Sequence, residues 1–84
     1  MFQIHFSSKS KKEFDALMNK KILEVLNILP LDPLPVKLYD VKKLQGIRDT
    51  FRIRIGKVRI IYTIIWNDKA ILISRISTRE SAYD

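Results

Sequence analysis

Cysteine is absent from this chain of 84 residues. That excludes disulfides, thiol catalysis and thiolate zinc sites. A single histidine is too few for a histidine-based metal centre, and the acidic residues show no ligand spacing. No metal and no other cofactor is expected. No apolar run approaches the ~20 residues of a membrane span. The apolar part of MFQIHFSSKSKKEF is too short for a signal peptide, and no cleavage motif follows it. One domain spanning residues 1–84, in a reducing cytoplasm and without a membrane partner, is the expectation.

Acidic residues are also in short supply. Nine Asp and Glu stand against 16 Lys and Arg, a formal charge of +7. A surplus of that size on so small a chain suits nucleic acid, an acidic protein or an anionic membrane. Its distribution is uneven. All six arginines lie between Arg48 and Arg79, whereas the first 47 residues carry only lysine. Guanidinium forks onto phosphate oxygens in a plane, so the arginine-rich part is where specific phosphate contacts are expected.

Phe2, Ile4 and Phe6 alternate as in a strand with one buried face, which leaves His5 on the other. Ser10-Lys11-Lys12-Glu13 matches a capping box. Phe14, Leu17, Met18, Ile22, Val25, Leu26 and Leu29 then fall at helical spacing, with the lysines on the wet side. The stripe suits one long helix or a helical hairpin, for which Asn19 offers a second cap. Met18 is read as core filler. Pro30, Pro33 and Pro35 stop the helix, and Leu31 to Lys37 is an extended connector. Leu38, Val41 and Leu44 are placed to cover an edge of the core.

From Thr50 the chain reads as sheet: Thr50 to Ile55, Val58 to Trp66 and Ala70 to Ile76. Gly56-Lys57 fits a two-residue hairpin loop. It pairs Ile55 with Val58, Arg54 with Arg59 and Ile53 with Ile60. Arg52, Arg54 and Arg59 then crowd one face, a costly arrangement unless something anionic binds there. Val58, Ile60, Tyr62, Ile64 and Trp66 face the helices. Arg75 is ambiguous. A two-residue Asn67-Asp68 turn sets it opposite Ile60 on the core face. A three-residue loop or a bulge sets it beside Arg59 instead. The expected fold is α+β: an N-terminal strand, the helical segment, and a three-stranded antiparallel meander completing a four-stranded sheet.

Lys43-Leu44-Gln45-Gly46, the run Phe51 to Gly56, Arg59-Ile60-Ile61-Tyr62 and a closing Arg79 and Tyr83 together resemble the RelE/ParE superfamily of prokaryotic toxins, its RelE branch in particular. Phe6-Ser7 opening a lysine-rich helix fits too. The resemblance covers nearly the whole chain. It implies the toxin of a type II toxin–antitoxin system, silenced by an acidic RelB-like antitoxin. RelE-type members enter the ribosomal A site and cut mRNA there. ParE-type members poison DNA gyrase, a binding activity without chemistry. A degenerate member that binds only antitoxin or RNA is a third possibility.

Metal-free RNA cleavage needs the 2′-hydroxyl deprotonated, the phosphorane charge stabilised and the leaving 5′-oxygen protonated. The resemblance makes Arg59 the ligand of the scissile phosphate, Arg79 the group at the leaving oxygen, and Tyr83 a base-stacking or orienting aromatic. Arg52, Arg54 and Arg75 become RNA-binding residues. Some RelE-type members carry lysines where Arg52 and Arg54 stand. A guanidinium is a poor proton acceptor, so no general base is identified among these residues.

Overall fold

Hydrophobic alternation and helical periodicity both converge on one buried layer. The computed structural model describes residues 1–78. It runs β1 (Gln3–Phe6), α1 (Ser8–Leu17), α2 (Lys20–Ile28), β2 (Asp40–Lys43), β3 (Thr50–Ile55), β4 (Val58–Ile65), a short 3-10 turn (Trp66–Asp68) and β5 (Ala70–Thr78). The sheet has five strands in the order β1-β5-β4-β3-β2. All neighbours are antiparallel except β1 and β5, which run parallel. Among the described residues no helix is long and apolar enough to cross a membrane.

The sheet thus exceeds the expected four strands by one. The extra strand is Asp40–Lys43, which pairs with β3 from Asp40↔Arg54 to Lys43↔Phe51. Its side chains are mostly wet, so it lacks the apolar alternation that marks a strand in sequence. Backbone pairing to the β3 edge makes it a strand, with Val41 alone leaning on the core. Leu38 does not cover that edge; it is exposed.

The helical segment is a hairpin. Asn19 caps α2, its side chain accepting from the Lys21 amide at 2.7 Å. Met18 is the residue that turns the corner. It adopts a left-handed φ of 45° as the α1 C-cap and is 79% exposed, so it is not core filler. The stripe is broken there because the backbone reverses, and the remaining apolar positions continue on α2. Ile22, Val25 and Leu29 are fully buried against Ile53, Ile60, Tyr62, Ile64, Ile71, Ile73 and Ile76 of the sheet. Each such side chain contributes ~1.5–3 kcal/mol by leaving water.

The α1 N-cap is Ser7, not Ser10. Ser7 Oγ accepts from the Ser10 amide at 3.0 Å. Ser10 lies inside the first turn, buried, and donates to the Ile73 carbonyl at 2.6 Å. Glu13, the expected closing residue of a capping box, points at β5 instead. Tertiary partners on the adjacent strand have taken over both side chains.

The β3–β4 hairpin has the expected pairing, Ile55↔Val58, Arg54↔Arg59 and Ile53↔Ile60. Gly56 supplies the left-handed φ of 57° that the first loop position requires. The β4–β5 turn differs from a plain two-residue loop. Trp66–Asp68 makes a 3-10 turn and Lys69 takes a left-handed φ of 49°, its amide donating to the Trp66 carbonyl. Trp66 is therefore off the strand and 49% exposed, not core. One of its ring neighbours is Phe2, edge to face at 5.7 Å.

Candidate nucleic-acid interface

Cross-strand register places the arginines. On the sheet face away from the helices, one row reads Asp40, Arg54, Arg59, Ser77, and the next reads Lys42, Arg52, Ile61, Arg75. Arg52, Arg54, Arg59 and Arg75 thus share one face. Arg54 and Arg59 are direct cross-strand partners.

The position of Arg75 follows from a bulge. Beside the turn the register is that of a two-residue loop, Ile65↔Ala70 through Tyr62↔Ile73. It then shifts by one residue, to Ile61↔Arg75, leaving Ser74 as the extra residue. Without that shift Arg75 would oppose Ile60 and enter the core. Polar groups hold the bulge from both sides. The Ser74 hydroxyl donates to the Ile61 carbonyl at 3.2 Å. From α1, Ser7 and Ser10 donate to the carbonyls of Ser74 and Ile73 at 3.3 and 2.6 Å. The two serines of the helix start therefore help decide which face an arginine occupies.

The arginines differ in access. Arg52 and Arg59 are 7% and 8% exposed, whereas Arg54 is open to solvent. Asp40 lies at the edge of the row. Its Oδ2 is 3.3 Å from a guanidinium nitrogen of Arg52 and 3.3 Å from one of Arg54. One carboxylate oxygen bridges two cations, an arrangement equally suited to a phosphate oxygen. Arg75 Nε donates to Glu13 Oε2 at 3.0 Å. Thr50 and Thr63 extend the face toward the far end of the hairpin, their hydroxyls 2.8 Å apart. His5 is on this face but exposed on β1, opposite Leu72, with β5 between it and β4.

Arg79 and Tyr83 lie outside the described residues. The sequence reading missed Asp40, Lys42 and Glu13. The first two were hidden because their strand was not recognised, although the alternation Asp40-x-Lys42 before a loop was a weak signal for it. Glu13 was hidden because its place three residues after Ser10 suggested a local role.

A small, basic α+β domain with an arginine-bearing sheet face, backed by a helical hairpin, is the architecture of one class of bacterial and archaeal toxins. The chain belongs to the RelE/ParE superfamily: the family model for the ParE toxin of type II toxin–antitoxin systems matches residues 4–83. It is 39% identical over 75 residues to a toxin candidate of Methanocaldococcus jannaschii named RelE1, a match covering 89% of this chain and 83% of that protein. The fold is similar to that of the RelE–RelB complex from Pyrococcus horikoshii, with a TM-score of 0.82 and 30% identity over 96% of this chain and 98% of that one. The isolated Escherichia coli RelE toxin has the same fold, with a TM-score of 0.78 at 16% identity, covering 98% of this chain and 88% of that one.

Proposed function

We propose that this toxin is a ribosome-dependent, metal-independent endoribonuclease that cuts mRNA in the A site and is silenced in the cytoplasm by an acidic RelB-like antitoxin. The observation that carries the reading is the arginine face. Four guanidinium groups on adjacent strands share that face, and positive charge of this kind would stabilise a phosphorane. Charge held in place before the reaction stabilises a transition state more than mobile charge in water does.

In the reaction, the 2′-oxygen attacks the adjacent phosphorus and the bond from phosphorus to the 5′-oxygen breaks. The products are a 2′,3′-cyclic phosphate and a 5′-hydroxyl. One proton leaves the 2′-hydroxyl and one reaches the 5′-oxygen, so no co-reactant is required. Arg59 binds the scissile phosphate, with Arg52, Arg54 and Arg75 holding the flanking backbone. Arg79 serves the leaving oxygen and Tyr83 stacks on or orients the nucleotide. No arginine serves as the base, so this chain's contribution is mainly electrostatic and positional, with the ribosome ordering the substrate.

The antitoxin reading draws on the same face. Asp40 already bridges Arg52 and Arg54, so an antitoxin carboxylate can occupy the same forks. In the Pyrococcus horikoshii structure RelE is in complex with RelB. The second reading, inhibition of DNA gyrase without chemistry, is favoured by one observation: the matching family model is that of ParE.

The deciding experiment is in-vitro translation with the mRNA mapped by primer extension. Wild type is compared with Arg59→Ala and Arg79→Ala, with and without ribosomes. Cuts at A-site codons that disappear in both variants are expected. Intact mRNA at every protein concentration overturns the nuclease reading, and a gyrase supercoiling assay then tests the alternative.

A further inference from the structure

The outer face of β4 changes character along its length. It begins at Arg59, continues through Ile61 and Thr63, and ends at Ile65. From residue 59 to residue 65 the strand advances ~20 Å. At the far end a cavity of about 360 Å³ opens, lined by Arg48, Asp49, Thr63, Ile65, Trp66 and Asn67. It is separate from the arginine row and takes no part in the cleavage chemistry above.

Three features of this cavity point to one kind of occupant. Trp66 is half exposed and its ring forms a T-shaped pair with Phe2 at 5.7 Å, so the indole is both accessible and supported. The Arg48 side chain is 94% exposed, and its guanidinium lies 3.6 Å from the Asp49 carboxylate beside the cavity. The Asn67 side chain adds an amide able to donate and accept. An aromatic plane, a guanidinium and an amide around a small concave site are the groups that hold an unstacked nucleobase. Phosphate alone would not select this place, because Asp49 offsets Arg48 there. Thr63 and Ile65, two residues of the strand that carries Arg59, line the cavity.

We infer that Trp66 and Arg48 form a docking site for a nucleobase of the bound RNA, several nucleotides from the phosphate held by Arg59. The identity of the strand rests on the nuclease reading; the site's chemistry does not. The backbone geometry suits a fixed platform. Asp49 holds a left-handed φ of 52° while its carbonyl accepts from the Ile64 amide at 2.8 Å. That bond ties the Arg48 loop to the strand leading to Trp66. A base held here biases which sequences are cut, because stacking energy differs among bases while phosphate contacts are indifferent to them.

Trp66 is the only tryptophan in the chain, so its fluorescence reports on the site directly. The whole protein is titrated with a short fluorescein-labelled single-stranded RNA, and anisotropy is followed together with tryptophan emission. Saturable quenching of Trp66 in step with the anisotropy rise is expected. Trp66→Ala should weaken binding by roughly 5- to 100-fold, as loss of a stacked base does. Arg48→Ala, on a fully solvated side chain, should weaken it several-fold with circular dichroism unchanged, so the test survives if Trp66→Ala unfolds. Binding without a Trp66 response, or no RNA binding, overturns the inference. So does a response to an acidic antitoxin peptide but not to RNA. Wild-type cleavage of mRNA without a Trp66 response removes the base site alone. A Trp66 response without cleavage removes the nuclease alone.

Discussion

Glu13 on α1 closes on Arg75 of β5 at 3.0 Å, and its other carboxylate oxygen accepts the Ile76 amide at 2.7 Å. β1 pairs with β5 only as far as Ile73. Among the described residues the edge of β5 beyond that point has no strand partner on that side, and Glu13 accepts the Ile76 amide there. The same carboxylate anchors the arginine nearest that edge. Glu13 thus joins helix, sheet edge and outer face in a single residue.

Replacing Glu13 by Gln should lower unfolding free energy by about 2 kcal/mol. An amide retains an acceptor for Ile76 but turns a donor group toward Arg75. Both side chains of the pair are mostly buried, at 23% and 20% exposed, so solvent does not absorb the loss. Urea denaturation of the two proteins measures it. A difference below a few tenths of a kcal/mol would show that the contact does not hold the edge.

Asp40 occupies charge that a nucleic acid would otherwise use. Asp40→Asn should therefore tighten binding of single-stranded RNA several-fold at low salt. It should also steepen the dependence of log affinity on log salt by about 0.7, the increment for one more phosphate contact on a single strand. Equal slopes for the two proteins would mean that Arg52 and Arg54 do not meet the backbone.

Much of this architecture is written in local pattern. The Gly56-Lys57 loop fixes the hairpin register, and that register alone sets Arg54 opposite Arg59. The helix spacing from Phe14 to Leu29 identifies the packed stripe. What escapes local pattern is set by distant partners. Ser10 reads as a cap but is claimed by Ile73, and Glu13 reads as its companion but is claimed by Arg75 and Ile76. Asp40–Lys43 is a strand only because β3 offers it an edge. Trp66 alternates with the core residues before it, yet the 3-10 turn lifts it out of the strand. Arg75 could not be placed from parity, because a one-residue bulge reverses every inference drawn through it.

That bulge makes a deletion test possible. Removing one residue from a regular strand turns all later side chains to the wrong face. Deleting Ser74 does the opposite. Ile73 stays opposite Tyr62 and Arg75 stays opposite Ile61, now in unbroken register. The cost should be about 1–2 kcal/mol, from the lost hydrogen bonds to Ile61 and Ser7. Deleting Thr63, whose pairings with Thr50 and Leu72 are regular, should abolish cooperative folding. Thermal melts of the two deletions should therefore differ sharply. Similar behaviour would mean that Ser74 is not the extra residue.

Tyr62 couples the core to the proline connector. It is fully buried, and its hydroxyl donates to the Pro33 carbonyl at 2.7 Å. Burial pushes its pKa well above the ordinary 10.0, and the Asp32 charge pushes it further the same way. The folded state therefore keeps the phenol neutral where the unfolded chain has begun to ionise. Below pH 10 the full contribution is present. Above it the unfolded state sheds a proton that the folded state retains, so stability falls by about 1.4 kcal/mol per pH unit until the raised folded value is reached. Tyr62→Phe removes the titration together with the bond to Pro33, and should cost about 1–2 kcal/mol at neutral pH. The gap between the two proteins should narrow as pH rises past 10 and close near about pH 11, while lysine titration affects both alike. Urea midpoints measured across that range test the coupling. A gap that stays constant with pH would show that Tyr62 ionises equally in both states, contrary to its burial.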